Sequence, residues 1–496
     1  MHTYREQEGR VLGTRMELRK RRRADTSRVI RVAISSALTA LLVVGYAVGD
    51  LTDVFPGVLT LRDVANPSYA APLSARTATA IAGTANRSKT VDAAAAQQLI
   101  DAFAADPSVG TDFSIVIATA DGTVVASHEP DAQREPASTM KTLTALAAAS
   151  VLDMGSTLAT SAYLSQASGQ TPTLYLKGSG DMLLGSGDND PNHINGRAGL
   201  GTLAKTTATS LKQRGITSVA VRYDDTVFAD PRYPATIAQN NPSNMYYTAV
   251  SSMAVDGGRQ WTADQQHDPD LFTSYPVLSM TPAADAAVTF AQRLTEQGIT
   301  VDGSPIAASV PSGLHAVATV QSATLAEIMA FTLRHSDNTL AEEFGRLLAN
   351  ATGNDNSPTG ATTAVKQELD KLGVSTSGLV MADCSGLSDG SRLTATTLVQ
   401  VQERNLRVGG AVAAAEGLSV PGLVGTAKSR LADQALAGQL RVKTGSLEGV
   451  TSMAGNVSRT NGGLVSFAVI VNNPTNLYSA RIAINKFMSA LACRID

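Results

Sequence analysis

The first 50 residues of this chain contain an uncharged apolar run of 17 residues, 32–48. A membrane-spanning helix needs about 20 mostly apolar residues, whereas the apolar core of a signal peptide has about 7–15. The run is therefore short for an anchor and long for a signal. A buried core helix is a poor interpretation, because nothing upstream of the run could pack around it.

The charge distribution indicates how this run is oriented. Residues 1–31 hold ten Lys or Arg against four acidic residues, a net charge of +6, and the chain total of −3 leaves −9 on the rest. Such a basic flank stays in the cytoplasm, so the asymmetry fits membrane topology better than nucleic-acid binding. We predict a cytoplasmic tail at 1–31 and a transmembrane anchor at 32–48, which leave the body of the protein outside the cytoplasm.

A cleaved signal peptide is the alternative interpretation of the same run. Ala47-Val48-Gly49 is an acceptable cleavage site, but a lead of 31 residues is long for a signal peptide. Cleavage would give a secreted protein. The body lies outside the cytoplasm in both cases.

The rest of the chain divides into regions that differ in composition and in predicted secondary structure. Residues 49–89 become rich in Ala, Thr and Ser and are predicted to be a flexible linker. A helix and an Asp121-Gly122 hairpin follow, short strands alternate with loops at 161–311, and helices and late strands return from 312. We predict an α+β fold in which residues 90–160 and 312–496 form one domain that encloses an inserted, smaller α/β domain at 161–311.

Ser138 and Lys141 are the first candidate catalytic pair. They stand three residues apart at the start of an apolar helical stretch, and residues i and i+3 share one face of a helix. A Ser hydroxyl needs a base beside it, and Lys can be that base only when burial or a nearby cation lowers its pKa. The alternative is a surface Lys on the first turn of the helix.

Two further motifs have both a chemical and a purely structural interpretation. Ser336-Asp337-Asn338 lies at a predicted helix junction, where the hydroxyl could relay a proton and the amide could hold a peptide carbonyl, or the three could simply cap a helix. Lys443-Thr444-Gly445-Ser446 lies in a strand pattern. Its Lys and Thr could grip a carboxylate and its Gly leaves room for a substrate backbone, or it could be a strand-edge Lys with a bulge.

The three motifs together resemble those of the penicillin-binding proteins, which combine Ser-x-x-Lys, Ser-Asp-Asn and Lys-Thr-Gly in this order. Ser138 and Ser336 are 198 residues apart, which leaves room for an inserted domain. The chain from about 90 to 496 is similar to the low-molecular-mass class C penicillin-binding proteins, the D-alanyl-D-alanine carboxypeptidase/endopeptidase family. Further stretches carry the resemblance: "LYLKGSGDMLL", "MYYTAVSSMAVDGG", "HSDNTLAEEFGR", "DCSGLS" and "VKTGSLEGV".

The resemblance implies a penicillin-binding/β-lactamase-like transpeptidase domain, an antiparallel sheet flanked by helices, and a role for each motif residue. Ser138 would be the acylated nucleophile, Lys141 its general base and Ser336 the proton shuttle to the leaving amine. The substrate would be bound by Asn338, Lys443, Thr444, Gly445 and Ser446, and the backbone N–H groups of Ser138 and Ser446 would form the oxyanion hole. The family needs no metal or organic cofactor. Ser446 departs from the more usual Thr but keeps a hydroxyl.

The predicted function is a membrane-tethered serine-type D-alanyl-D-alanine carboxypeptidase that trims the terminal D-Ala of peptidoglycan stem peptides through an acyl-serine intermediate. DD-endopeptidase activity is left open as a second activity. β-Lactams would be covalent inhibitors, and no nucleic acid is expected as a partner. The alternatives are a class A-like β-lactamase and a non-catalytic β-lactam-sensing or wall-binding protein.

The chain has only two cysteines, Cys384 and Cys493. An even pair outside the cytoplasm can form one disulfide. The resemblance places the Cys384 stretch near the sheet, against which the terminal helix that ends at Cys493 should pack. We therefore predict a Cys384–Cys493 disulfide.

Overall fold

The computed structural model describes residues 31–52, 54, 91–166, 171–262, 268–272, 274–407, 411–431, 436–459 and 463–493. The chain divides into two units, Met1–Pro72 and Leu73–Asp496. In the first unit, helix α1 (Arg31–Leu51) has 21 residues and is long and apolar enough to cross a membrane. A signal sequence near the N-terminus would pass the same test of length and composition. Residues 1–30 of the predicted tail and 55–89 of the predicted linker lie outside the described residues.

A five-stranded antiparallel sheet is the centre of the second unit, and both ends of the unit build it. Its strands, in spatial order, are β11 (Leu440–Leu447), β12 (Val450–Ser458), β13 (Leu464–Asn472), β1 (Phe113–Thr119) and β2 (Val124–His128). Phe113 pairs with Val471, so an early strand lies beside a late one. The hairpin predicted at Asp121-Gly122 is confirmed, because β1 and β2 pair antiparallel across it.

Both faces of this sheet are covered, which explains why β1 and β13 are apolar without alternation. Ile115 and Ile117 of β1 face a core made with the helices α2 (Ala93–Ala104) and α11 (Leu477–Cys493). Val116 and Ala118 face the opposite core, which a second group of helices forms. Successive strand residues point to opposite faces, so a strand buried on both sides is apolar throughout.

The opposite core is a cluster of helices that surrounds α3 (Lys141–Val151). Residues 141–149 of α3 are all buried, and small Ala side chains let the neighbouring helices approach closely. The surrounding helices are α6 (Leu325–His335), α7 (Asn338–Thr352), α8 (Pro358–Lys371), α9 (Ala395–Asn405) and α10 (Val412–Glu416). The motif that the sequence suggested for catalysis therefore opens a central core helix.

A second sheet lies between α3 and α6 in the chain. Its strands, in order, are β10 (Ala316–Thr324), β3 (Thr157–Ser165), β4 (Thr173–Gly178), β6 (Ser218–Asp224) and β8 (Thr300–Val301), with β9 (Ile306–Ala307) also paired to β6. Two helices, α4 (Leu200–Gln213) and α5 (Pro282–Glu296), share its core. The short strands β5 (Asp181–Leu184) and β7 (Met253–Val255) pair separately.

The α+β fold with a helix-flanked antiparallel sheet is confirmed. The division of the chain at residues 161 and 311 stays a prediction. Strand β3 crosses residue 161, and β10, which pairs with β3 at the edge of the second sheet, begins after residue 311.

The predicted disulfide between Cys384 and Cys493 is wrong. Cys384 carries a free, buried thiol whose sulfur packs against Gly345 of α7, within the helical cluster. Cys493 is exposed at the end of α11, which packs on the opposite face of the sheet. The sheet separates the two positions, whereas a disulfide needs Cα atoms within about 7 Å of each other.

Candidate active site

Ser138 lies in a 3₁₀ turn, Ala137–Met140, that runs directly into α3. The turn is set by a strained residue, because Ala137 has φ +49°, a conformation that costs an L-residue energy. The carbonyl oxygen of Ala137 lies so close to Gly386 that a Cβ there would be only 2.0 Å from it. The nucleophile candidate is therefore held by a tight loop contact from a distant part of the chain.

Lys141 is 1% exposed, and its amine lies beside this hydroxyl. Its Nζ donates to Ser138 Oγ at 3.0 Å, to Asn338 Oδ1 at 2.6 Å and to the carbonyl of Ser385 at 2.9 Å. Burial lowers the pKa of Lys141 to about 7, against the opposing charges of Asp383 and Asp337. An amine with this pKa is neutral in a large fraction of molecules at neutral pH, so it can accept the Ser138 proton.

The second motif occupies the junction between α6 and α7. Ser336 follows the end of α6 with a left-handed φ of +58°, and its hydroxyl accepts a hydrogen bond from the Lys443 amine. Asp337 caps α7 by accepting from the Leu340 N–H and forms an ion pair with Arg259 at 2.6 Å. Asn338 then begins α7, and its Nδ2 donates to the Tyr246 carbonyl at 2.8 Å. The predicted meeting of two helices at Ser336 is confirmed.

The third motif lies on β11, at the edge of the five-stranded sheet. Lys443 is 0% exposed, and its Nζ donates to Ser336 Oγ at 2.9 Å and to the Thr444 carbonyl at 2.8 Å. Burial, and then the charge of Lys141, lower the pKa of Lys443 well below the usual range. The Thr444 hydroxyl bonds the Thr426 hydroxyl at 2.8 Å.

Gly445 is required by close approach rather than by its backbone angle. A Cβ at this position would lie 2.1 Å from Ser452 Oγ and 2.8 Å from the carbonyl oxygen of Pro136. The latter residue immediately precedes the turn that carries Ser138. The absence of a side chain therefore lets β11 lie directly against the nucleophile turn.

A cleft of about 480 Å³ joins these motifs. Ser138, Ser336, Thr444 and Ser446 all line it, whereas Lys141 and Lys443 are buried beneath it. The structure thus brings together every motif residue singled out in the sequence. A hydroxyl beside a buried amine, facing a cleft with further hydroxyls, can perform nucleophilic attack and acyl transfer.

Comparison with known proteins identifies the family. The family model for D-Ala-D-Ala carboxypeptidase 3 (S13) matches residues 96–269 and 272–492. The chain belongs to this family. Carboxypeptidase DacB from Mycolicibacterium smegmatis is 33% identical over 353 residues, which cover 68% of this chain and 71% of the relative.

Two crystal structures of penicillin binding protein 4 (dacB) from Haemophilus influenzae share the fold. The first is 19% identical with a TM-score of 0.64, and it covers 81% of this chain and 98% of that chain. The second, a complex with a novel β-lactam, is 20% identical with a TM-score of 0.56 and the same coverage. The predicted family, fold class and enzyme class, a D-alanyl-D-alanine carboxypeptidase, are confirmed. Membership favours this activity over the β-lactamase and non-catalytic alternatives.

Sequence reasoning missed the roles of two residues in the stretch 383–388. The side chain of Asp383 accepts from the backbone N–H groups of Ser385 and Ser388 at 2.9 and 2.8 Å, which shapes the loop that presents the Ser385 carbonyl to Lys141. The stretch "DCSGLS" was recognisable only as part of the family resemblance. Its contact with Lys141 spans 244 residues, and no local pattern could indicate it.

Sequence reasoning also missed two arginines of the cleft wall. Arg430 and Arg481 line the same cleft as Ser138 and Ser446. One precedes β11 and the other lies on α11, and neither belongs to a motif that a sequence pattern would single out.

Proposed function

We propose that this cleft removes the terminal D-Ala of peptidoglycan stem peptides through an acyl-enzyme on Ser138. The observation that carries the proposal is the 3.0 Å contact between Ser138 Oγ and the Lys141 amine, whose pKa is about 7. A neutral amine at this distance can take the hydroxyl proton as the oxygen attacks the peptide carbonyl.

In the acylation step, a bond forms between Ser138 Oγ and the carbonyl carbon of the penultimate D-Ala. The negative charge that develops on the carbonyl oxygen is stabilised by the backbone N–H groups of Ser138 and Ser446. The C–N bond then breaks, and the leaving amine receives a proton from Ser336, which is replaced by the proton that Lys141 took from Ser138. In the second step water gives a proton to Lys141 as its oxygen attacks the acyl carbon, the bond between that carbon and Ser138 Oγ breaks, and Lys141 returns the proton to Ser138 as the shortened peptide leaves.

Binding of the peptide uses the remaining motif residues. Asn338 offers its amide to the peptide backbone, and Gly445 leaves space for that backbone beside β11. The hydroxyls of Thr444 and Ser446 face the terminal carboxylate, and Lys443 lies beneath them with its amine on Ser336. When the leaving amine belongs to a second stem peptide, the same chemistry cuts a cross-link, which is the DD-endopeptidase reaction.

A penicillin tests the nucleophile directly. β-Lactams imitate the D-Ala-D-Ala end, and their opened ring stays attached, so the acyl-enzyme is long-lived. Full-length protein in detergent should gain the mass of one penicillin on the peptide that contains Ser138, and it should release D-Ala from a peptide that ends in D-Ala-D-Ala. Labelling that persists in Ser138→Ala would contradict the assignment of the nucleophile.

We further propose that α1 is an uncleaved anchor that tethers an extracytoplasmic catalytic unit. The support is its length of 21 residues, the mean hydropathy of 2.0 over an 18-residue window within it, and the basic tail that precedes it. N-terminal sequencing of the protein recovered from membranes should find a chain that still contains residues 31–51. A mature chain that starts near residue 50 would show a cleaved signal instead.

A further inference from the structure

The wall of the cleft beyond Thr444 and Ser446 is positively charged. Arg430 and Arg481 both line this wall, and the described residues that line the cleft include no Asp or Glu. Neither arginine forms an ion pair with any described residue. Among the described residues, therefore, no carboxylate pairs with the two arginines that line the space in which the substrate must lie.

Arg430 is held in a fixed orientation by α11. Its Nε donates to Asn485 Oδ1 at 2.7 Å, and its NH2 donates to the Arg481 carbonyl at 3.4 Å. Burial, and then the nearby charge of Arg481, lower the pKa of Arg430 to about 10, so it remains a cation at neutral pH. Two cations that repel each other at one site are both stabilised when an anion binds between them.

Arg481 contributes a donor for which the described residues supply no acceptor. Its Nε is buried and has no hydrogen-bond partner within the described part of the chain. A buried N–H without an acceptor is unfavourable, and an acceptor supplied by a ligand removes that penalty. A carboxylate fits this donor well, because guanidinium and carboxylate form paired hydrogen bonds.

Lys443 is badly placed to bind a carboxylate itself. Its side chain is 0% exposed, and its amine already donates to Ser336 Oγ and to the Thr444 carbonyl. Both acceptors belong to the protein, and the buried amine has no exposed surface to offer to a ligand. The positive charge for an anionic leaving group must then come from elsewhere in the cleft.

We propose that Arg481 and Arg430 form the cationic part of the subsite for the leaving-group carboxylate, and that they make the enzyme select peptides with a free carboxyl terminus. The hydroxyls of Thr444 and Ser446 form the neutral part of the same subsite. This inference rests on the proposed function, because it assigns specificity within that reaction. The two arginines are specificity-determining residues and take no part in proton transfer.

The test compares two substrates that differ in one charge: a peptide that ends in D-Ala-D-Ala and the same peptide with a C-terminal amide. In full-length protein, Arg481→Gln should lower kcat/KM for the acid about tenfold or more, mainly through KM, and change the amide within about twofold. Arg430→Gln should act in the same direction, and Arg481→Lys should restore part of the loss. Arg441→Gln, which removes an exposed charge from β11, is the matched control and should change neither substrate.

A binding measurement separates this inference from the proposed function. In Ser138→Ala, calorimetry should show tighter binding of the acid than of the amide, and adding Arg481→Gln should remove that preference. Equal losses on both substrates, or an acid preference that survives both arginine substitutions, would overturn the proposal. A wild-type protein that turns over neither peptide but binds the acid through Arg481 would contradict the proposed reaction alone.

Discussion

Lys141 and Lys443 are both completely buried, yet their surroundings differ in charge. Lys141 has the carboxylates of Asp383 and Asp337 near it, and their charges partly offset the effect of burial on its pKa, which settles at about 7. No carboxylate among the described residues offsets the effect of burial on the pKa of Lys443. The positive charge of Lys141 lowers that pKa further. Burial alone therefore does not determine the pKa of a lysine, because the charges around the amine also act on it.

This difference suggests a division of labour between the two amines. Lys141 can exchange a proton near neutral pH, which suits a general base. Burial lowers the pKa of Lys443 well below the usual range, and its amine is a fixed hydrogen-bond donor to Ser336. Four experiments test this contrast, and they are ordered from the largest expected effect to the smallest.

Replacing Lys141 should have the largest effect. Lys141→Ala removes the base beside Ser138, and kcat/KM on a D-Ala-D-Ala peptide should fall about 10³-fold, with a similar loss in the rate of penicillin labelling. Lys366→Ala, at an exposed position on α8, is the control and should retain full activity. A Lys141→Ala variant that keeps normal labelling would remove Lys141 from its assigned role.

Lys443→Ala should have a smaller effect of a different kind. The change leaves Ser336 without its orienting donor, so kcat should fall about 10²-fold, and equally for the acid and amide peptides. Steady-state kinetics on both peptides measures this. A loss confined to the acid peptide would show that Lys443 binds the carboxylate directly.

The pH dependence of the wild-type enzyme should report on Lys141. The reaction needs the neutral amine, so kcat/KM should rise about tenfold per pH unit below the midpoint and level off above it. The midpoint should lie near pH 7. Lys443→Ala should keep the same midpoint, because the charges that act on Lys141 come from Asp383 and Asp337. A midpoint that moves when Lys443 is removed would contradict the contrast between the two amines.

The smallest expected effect is a displacement of that midpoint. Asp383 raises the pKa of Lys141 more than Asp337 does, and Asn lacks the charge. Asp383→Asn should therefore shift the kcat/KM profile to lower pH, and Asp337→Asn should shift it in the same direction by less. Circular dichroism should first establish that each variant is folded. A midpoint that moves to higher pH would show that these carboxylates do not act on Lys141 through charge.

Features within a short stretch of sequence could be predicted because local geometry determines them. The spacing of Ser138 and Lys141 places both on one face wherever a helix begins there. Asp337 caps α7 as its residue type favours, and Asp121-Gly122 makes the hairpin that it indicates. The convergence of the three motifs came from the resemblance to the family, since their spacing alone does not bring them together.

The contacts between distant segments follow from the tertiary structure and not from any local pattern. The sequence does not show that the Lys443 amine contacts Ser336, 107 residues away. It also does not show that the Ser385 carbonyl accepts a hydrogen bond from Lys141. The predicted disulfide placed Cys384 and Cys493 together because both were expected near one sheet. In the structure the two cysteines lie on opposite sides of that sheet. A strand covered on both faces is apolar throughout, so its pattern does not reveal on which side each neighbouring element packs, and that choice is made by the fold as a whole.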